Sequence, residues 1–200
     1  MSKRDAWNTR YSASELVWGA DPNRFLEVEL GDVPPEGRAL DLACGEGRNA
    51  IWLAARGWQV TAVDYSEVAI ERAQGLAARE GVEVEWVCED LTRWMPEARA
   101  FRLVVILYLQ VPGEDRRRIL ERAASALAPG GALLIIGHAR RNLAEGTGGP
   151  QDPDLLLEPK EVAAELEAVG LRVERAEHLR RPVETDAGEV DAIDALLYAR

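Results

Sequence analysis

The chain has 200 residues, 47% of them hydrophobic, enough for one globular domain over residues 1–200 with a sizeable core. Its 24 Lys plus Arg against 35 Asp plus Glu give a formal charge of -11, which disfavours nucleic acid and anionic membrane as partners. Two isolated cysteines (Cys44, Cys88), two histidines (His138, His178), no bilayer-length apolar run and no signal-like N-terminus exclude a disulfide framework and a zinc cluster, so a cytoplasmic protein without a metal is expected.

In chain order, residues 1–37 precede the first strand and carry Trp7, Tyr11, Trp18 and Phe25, with Arg10 beside Tyr11. Two readings fit: a lid whose rings exclude water from a site, or an amphipathic helix packed on the sheet. Apolar strand candidates follow at 38–42, 58–64, 82–90, 101–109 and 131–139, separated by helical patterns. Ser66 suits the N-cap of a helix whose Ala69, Ile70, Ala73 and Leu76 share one face, with Gly81 as its C-cap. A second helix buries Ile119, Leu120, Ala123 and Leu127 and is expected to stop at the PGG of 129–131. Residues 140–157 hold three glycines and two prolines, an irregular connection read as a site mouth or a flexible linker. A helix from Pro159 to Gly170 then leads to LRVERAEHL and DAIDALLYAR, two antiparallel strands joined by the loop RPVETDAGEV. The prediction is an α/β doubly wound core over 38–200, with a mostly parallel sheet.

Ligands of such sheets sit beyond the carboxyl ends of the strands, and those ends here carry Asp41, Asp64, Asp90, Tyr108 and His138. Gly45, Gly47 and Ala50 satisfy the spacing of a dinucleotide-binding turn, so an NAD-dependent oxidoreductase is one reading. Asp41 and Glu46 crowd that turn, however, and carboxylates repel the pyrophosphate such a turn would hold. S-adenosylmethionine has no phosphate and offers an ammonium, a ribose diol and an adenine amine, all donors to acids. Asp41 is expected to meet the ammonium, Asp64 both ribose hydroxyls and Asp90 the adenine amine, while Gly45 and Gly47 let the backbone approach the methionyl part.

The motifs LDLACGEG, VTAVDYS, CEDL and PGGALLI, in that order, resemble those of class I S-adenosylmethionine-dependent methyltransferases. The resemblance implies a seven-stranded sheet with its last strand antiparallel, S-adenosyl-L-homocysteine as product, and a cofactor site that also takes Cys44, Asn49, Tyr65, Ser66, Leu91 and Leu107. The segments WNTRYSASELVWGADPNRFL and GPQDPDLLLEPKEV are similar to the subgroup of tellurite-resistance and thiopurine-type methyltransferases, in which the opening segment closes over the cofactor. That implies a lid carrying Trp7 and Tyr11, with Arg10 facing the methionine carboxylate. His138 and Tyr108 are the catalytic candidates, Arg140 and Arg141 steering residues or solvated surface. The strand end LYLQVP lacks the Asn/Asp-Pro-Pro-aromatic box of enzymes that methylate base amines, which favours a small molecule. With one histidine as a possible base, the expected acceptor is a soft nucleophile such as a thiol, selenol or tellurium species. A non-catalytic S-adenosylmethionine-binding module is the remaining alternative, and the sequence leaves the oligomeric state open.

Overall fold

Apolar runs that alternate with amphipathic helices pair here into one seven-stranded sheet. The structure, a computed structural model, describes residues 3–13, 16, 17, 19–185 and 188–200, so Trp18 lies outside the described residues. Helices α1 (Lys3–Ser12) and α2 (Arg24–Leu30) precede β1 (Arg38–Leu42), α3 (Arg48–Ala55), β2 (Gln59–Asp64), α4 (Glu67–Glu80) and β3 (Val84–Cys88). Then come β4 (Phe101–Leu107), α5 (Gly113–Ala126), β5 (Leu127–His138), α6 (Asn142–Glu145), α7 (Pro159–Ala168), β6 (Val173–Thr185) and β7 (Gly188–Ala199). The sheet order is β3-β2-β1-β4-β5-β7-β6; strands β1 to β5 pair in parallel, and β7 runs antiparallel to both neighbours.

Strand alternation divides the core between the two faces. Leu40, Leu42, Val104, Ile106, Leu133 and Ile135 pack with Ile119 and Leu120 of α5 and Val162 and Leu166 of α7. Ala39, Val60, Val105, Leu107, Leu134 and Ile136 pack on the other face with Leu26, Leu30, Leu53 and Ile70. Helix α4 starts at Ser66, whose side chain accepts from Ala69 N, and ends at left-handed Gly81, as its caps predict. Among the described residues no helix is long and apolar enough to cross a membrane.

Several boundaries differ from expectation: β3 spans Val84–Cys88 where 82–90 is expected, and β5 starts at Leu127 where 131 is expected. Strand β4 stops at Leu107 because Tyr108 turns into the left-handed region at φ 56°. Helix α5 ends at Ala126, where extended Leu127 already pairs with Phe101. Residues 140–157 are partly ordered, through α6, a short 3-10 turn at Pro153–Leu155 and a bridge from Ala139 to Leu157. The loop expected at 181–190 is instead the far end of a long hairpin, with pairing from Arg181–Ala192 out to Thr185–Gly188. Strand β6 is outermost in the sheet and tolerates Pro182 because it has one unpaired side.

Candidate functional site

The carboxyl ends of the parallel strands open into a cavity of about 730 Å³, bordered by α1 and by the β6–β7 hairpin. That is ample for a nucleoside-sized ligand together with a small second molecule. Of the residues expected there, Trp7, Tyr11, Cys44, Gly45, Asn49, Asp64, Tyr65, Asp90, Leu91, Leu107, Tyr108 and His138 line it.

The turn after β1 is held open by backbone geometry. Ala43, Gly45 and Gly47 all take positive φ, and Gly45 N donates to Asp64 Oδ2 at 2.9 Å. A Cβ on Gly45 would meet the Tyr11 hydroxyl at 2.8 Å, so this glycine is needed where α1 closes on the turn. Gly47 differs from expectation: a Cβ there would strike the Trp86 ring at 2.5 Å and the Ala73 Cβ at 2.9 Å, so its smallness serves packing against β3 and α4.

The acids at the strand ends have three different environments. Asp64 lines the cavity with both oxygens already accepting backbone bonds, from Gly45 N and Ser66 N. Burial raises its carboxyl above the ordinary value, against the pull of those bonds. Asp90 accepts from Thr92 N and Thr92 Oγ1; burial pushes it up, yet these bonds and nearby Arg93 and Arg4 hold it below the ordinary value. Asp41 is fully buried under the turn and does not line the cavity. Among the described residues no side chain hydrogen-bonds its oxygens, and burial, with Asp64 beside it, pushes its carboxyl up to about 7 against the weaker pull of Arg48 and the Ala50 N–H. Burial and Asp64 likewise push Tyr65 up to about 12.

Glu46, Ser66 and Arg10 also stand outside the cavity lining. Glu46 points to the N-terminal segment and α4, accepting from Val17 N and pairing with Arg72 Nη1 at 3.0 Å. Its charge is therefore neutralised away from the ligand space. Ser66 donates to Asn8 Oδ1 at 2.6 Å, and Asn8 and Arg4 both reach Glu67, so α1 is fastened to the start of α4. Arg10 is exposed, its guanidinium 5.1 Å from the Trp7 ring centre. The guanidiniums at the cavity are those of Arg4, Arg24, Arg48 and Arg181. Phe25, on α2, is partly buried against the core of the sheet face that α2 covers.

Beyond β4 and β5 the site is built from side chains that meet each other. The Tyr108 hydroxyl donates to Asp194 Oδ2 at 2.7 Å, Arg181 Nε donates to the same oxygen at 2.9 Å, and His138 Nδ1 lies 3.4 Å from Asp194 Oδ1 without hydrogen-bond alignment. The Tyr108 and His138 rings meet edge to face at 4.8 Å. Burial and the Asp194 charge push the Tyr108 phenol well above its usual value. The sequence reading missed Asp194 and Arg181; the one signal was an acid inside the apolar run AIDALLYA. None of residues 140–157 lines the cavity, so this connection is no mouth. Arg140 and Arg141 pair with Glu161 and Glu145 on the surface.

The donor set fits S-adenosylmethionine: Asp64 and Asp90 line the cavity as acceptors, and a pyrophosphate at the turn would lie against the Asp64 carboxylate. Residues 39–131 match the family model described as a methyltransferase domain. A ubiquinone biosynthesis O-methyltransferase from Coxiella burnetii is 31% identical over 132 residues, covering 66% of this chain and 56% of the relative. The chain thus spans little more than half the length of that relative. A solved structure titled for the conversion of a disulfide bond into a thioacetal group during echinomycin biosynthesis superposes with a TM-score of 0.80 at 21% identity, covering 100% of this chain and 93% of that one. TehB from Haemophilus influenzae superposes at 0.70 with 17% identity, covering 100% and 67%. The sheet order and these likenesses converge: residues 39–131 match a methyltransferase domain, and the fold is that of solved S-adenosylmethionine-dependent methyltransferases.

Proposed function

We propose that the protein transfers the methyl group of S-adenosylmethionine to a small-molecule acceptor held in the same cavity. The observation that carries this reading is the continuity of one cavity of about 730 Å³ from Asp64 and Asp90, beyond β2 and β3, to Tyr108 and His138, beyond β4 and β5. In this reading Asp64 holds the ribose hydroxyls and Asp90 the adenine amine. Tyr65, Leu91 and Leu107 flank the adenosyl group, Cys44, Gly45 and Asn49 border the methionyl part, and buried Asp41 favours the ammonium through its field. Arg48, at the first position of α3 and lining the cavity, takes the carboxylate role expected of Arg10. Trp7 and Tyr11 close the cofactor side as part of a lid. When bound, the cofactor supplies a methyl carbon open to displacement, and the protein aligns the acceptor and excludes water.

Within the class, the subgroup of tellurite-resistance and thiopurine-type methyltransferases is supported by the opening segment and by the likeness to TehB. A thiol, selenol or tellurium acceptor would need alignment alone, since a thiolate is already partly populated near neutral pH. Incubation with methyl-labelled S-adenosylmethionine and a panel of thiols, selenite, tellurite, phenols, carboxylates and amines tests the reading. Label transfer to a small molecule is expected. Calorimetry should register S-adenosylhomocysteine and no NAD; tight NAD binding without either sulfur ligand would overturn the assignment.

A further inference from the structure

Asp194 stands out because two donors, the Tyr108 hydroxyl and Arg181 Nε, bind one oxygen of a side chain with no solvent exposure at all, while the other oxygen faces His138 Nδ1 at 3.4 Å. A buried carboxylate is costly unless it is paired. The sheet explains how the group forms. Asp194 of β7 is the direct cross-strand partner of His138 of β5, and it pairs with Leu179 of β6, two positions before Arg181. Cross-strand partners share a face of the sheet, so the two side chains are brought together by register. Tyr108 reaches the same carboxylate through a left-handed backbone, φ 56°, that a bulky residue adopts only at a cost in strain. Gly149 lies against the Cγ end of the ring, since a Cβ there would sit 2.9 Å from His138 Cγ, 3.0 Å from Nδ1 and 3.1 Å from Cδ2. Nδ1 is thus the enclosed ring nitrogen, facing Asp194, and Nε2 is the nitrogen left for a ligand in the cavity that His138 lines.

We propose that Asp194 is a positioning residue that keeps the His138 proton on Nδ1, so that Nε2 acts as the base for a hydroxyl acceptor. The inference rests on the methyl-transfer reading and assigns the acceptor atom as oxygen, in place of the soft chalcogen acceptor that the subgroup likeness supports. As the acceptor oxygen bonds to the methyl carbon, its O–H proton passes to Nε2, and the electron pair of the broken sulfur–methyl bond stays on sulfur. The imidazolium that results is paired with Asp194 and returns its proton to water. Burial pushes the Asp194 carboxyl up, but the His138, Arg181 and Tyr108 side chains around it more than offset this and hold it below the usual carboxylate range. It is therefore an anion suited to stabilise that charge.

The test combines a structural readout with acceptor chemistry. In 15N-labelled protein with S-adenosylhomocysteine bound, at a pH where the imidazole is neutral, long-range nitrogen spectra should show the His138 proton on Nδ1, with His178→Gln supplying the assignment. In Asp194→Asn the carboxamide donates to Nδ1 and the proton should move to Nε2. A wild-type proton on Nε2, or no change in the variant, overturns the proposal, even if no compound of the panel turns over. With phenols of graded acidity and with benzenethiol as probes, Asp194→Asn should lower kcat for the least acidic phenol by roughly a hundredfold with its KM within about threefold, and barely affect the thiol. Equal losses for both, or methylation of the thiol with no phenol accepted, also overturn it. Should Asp194→Asn fail to fold, His138→Gln must show the same split between phenol and thiol. S-adenosylhomocysteine affinity stays at the wild-type level in both variants; its absence from the wild type would instead refute the methyl-transfer reading itself.

Discussion

The two halves of the cavity are made differently. On the side of β1, β2 and β3, each functional side chain is set by its own strand end and held by nearby backbone: Asp64 by Gly45 N and Ser66 N, Asp90 by Thr92. On the side of β4, β5 and β7, side chains hold one another across the sheet, and the Tyr108–Asp194 bond joins residues 86 positions apart. The first half is a preformed acidic surface that suits a cationic, donor-rich ligand. The second is a hydrogen-bonded network around one buried anion, able to place a proton.

The largest expected effect tests whether the acidic half carries uncompensated charge. Because the Asp41 carboxyl is raised to about 7, the folded protein keeps a proton there that the unfolded chain releases near its ordinary value of 3.8. The stability tied to this group is fully present below about pH 4 and is lost as pH rises through about 7. In ligand-free protein, Asp41→Asn should flatten Tm against pH over that window. By about pH 8 the relative gain should be on the order of 4 kcal/mol. An unchanged slope means that Asp41 is compensated, and the contrast with Asp194 then disappears.

Asp64→Ala comes next. Losing a charged acceptor should weaken S-adenosylhomocysteine binding by about 1 to 3 kcal/mol by calorimetry, while the fold survives. Wild-type affinity would reduce Asp64 to a residue that ties the β1 turn to β2. The smallest effect sharpens the separation of the halves. Tyr108→Phe removes one donor to Asp194 but leaves Arg181 in place, so stability should fall by about 1 kcal/mol with S-adenosylhomocysteine affinity unchanged. A matching loss of affinity would show the halves to be one unit.

The same contrast explains what the sequence revealed. The strand-end acids, the glycine turn and the caps at Ser66 and Gly81 follow local rules, and their elements formed where the sequence places them. The direction of a side chain at a tight turn is not local information: two left-handed glycines turn Glu46 toward Arg72 and aim Gly47 at Trp86. The hydroxyl-facing network was hidden for a stronger reason. Asp194 meets His138 through the register of β5 with β7, which depends on the whole sheet order. Arg181 was hidden too, because Pro182 beside it read as a turn in what is the outermost strand.

That strand, β6, extends over 13 residues with one side unpaired, the geometry by which concentrated proteins join sheet to sheet and aggregate. Pro182 contributes no N–H to such a junction, and Glu174, Arg175, Glu177, Arg180 and Glu184 set charges along it. The hairpin that brings Arg181 to the cavity thus also keeps neighbouring molecules from zipping together, and replacing Pro182 or these charges with β-branched apolar residues would be felt first as a loss of solubility.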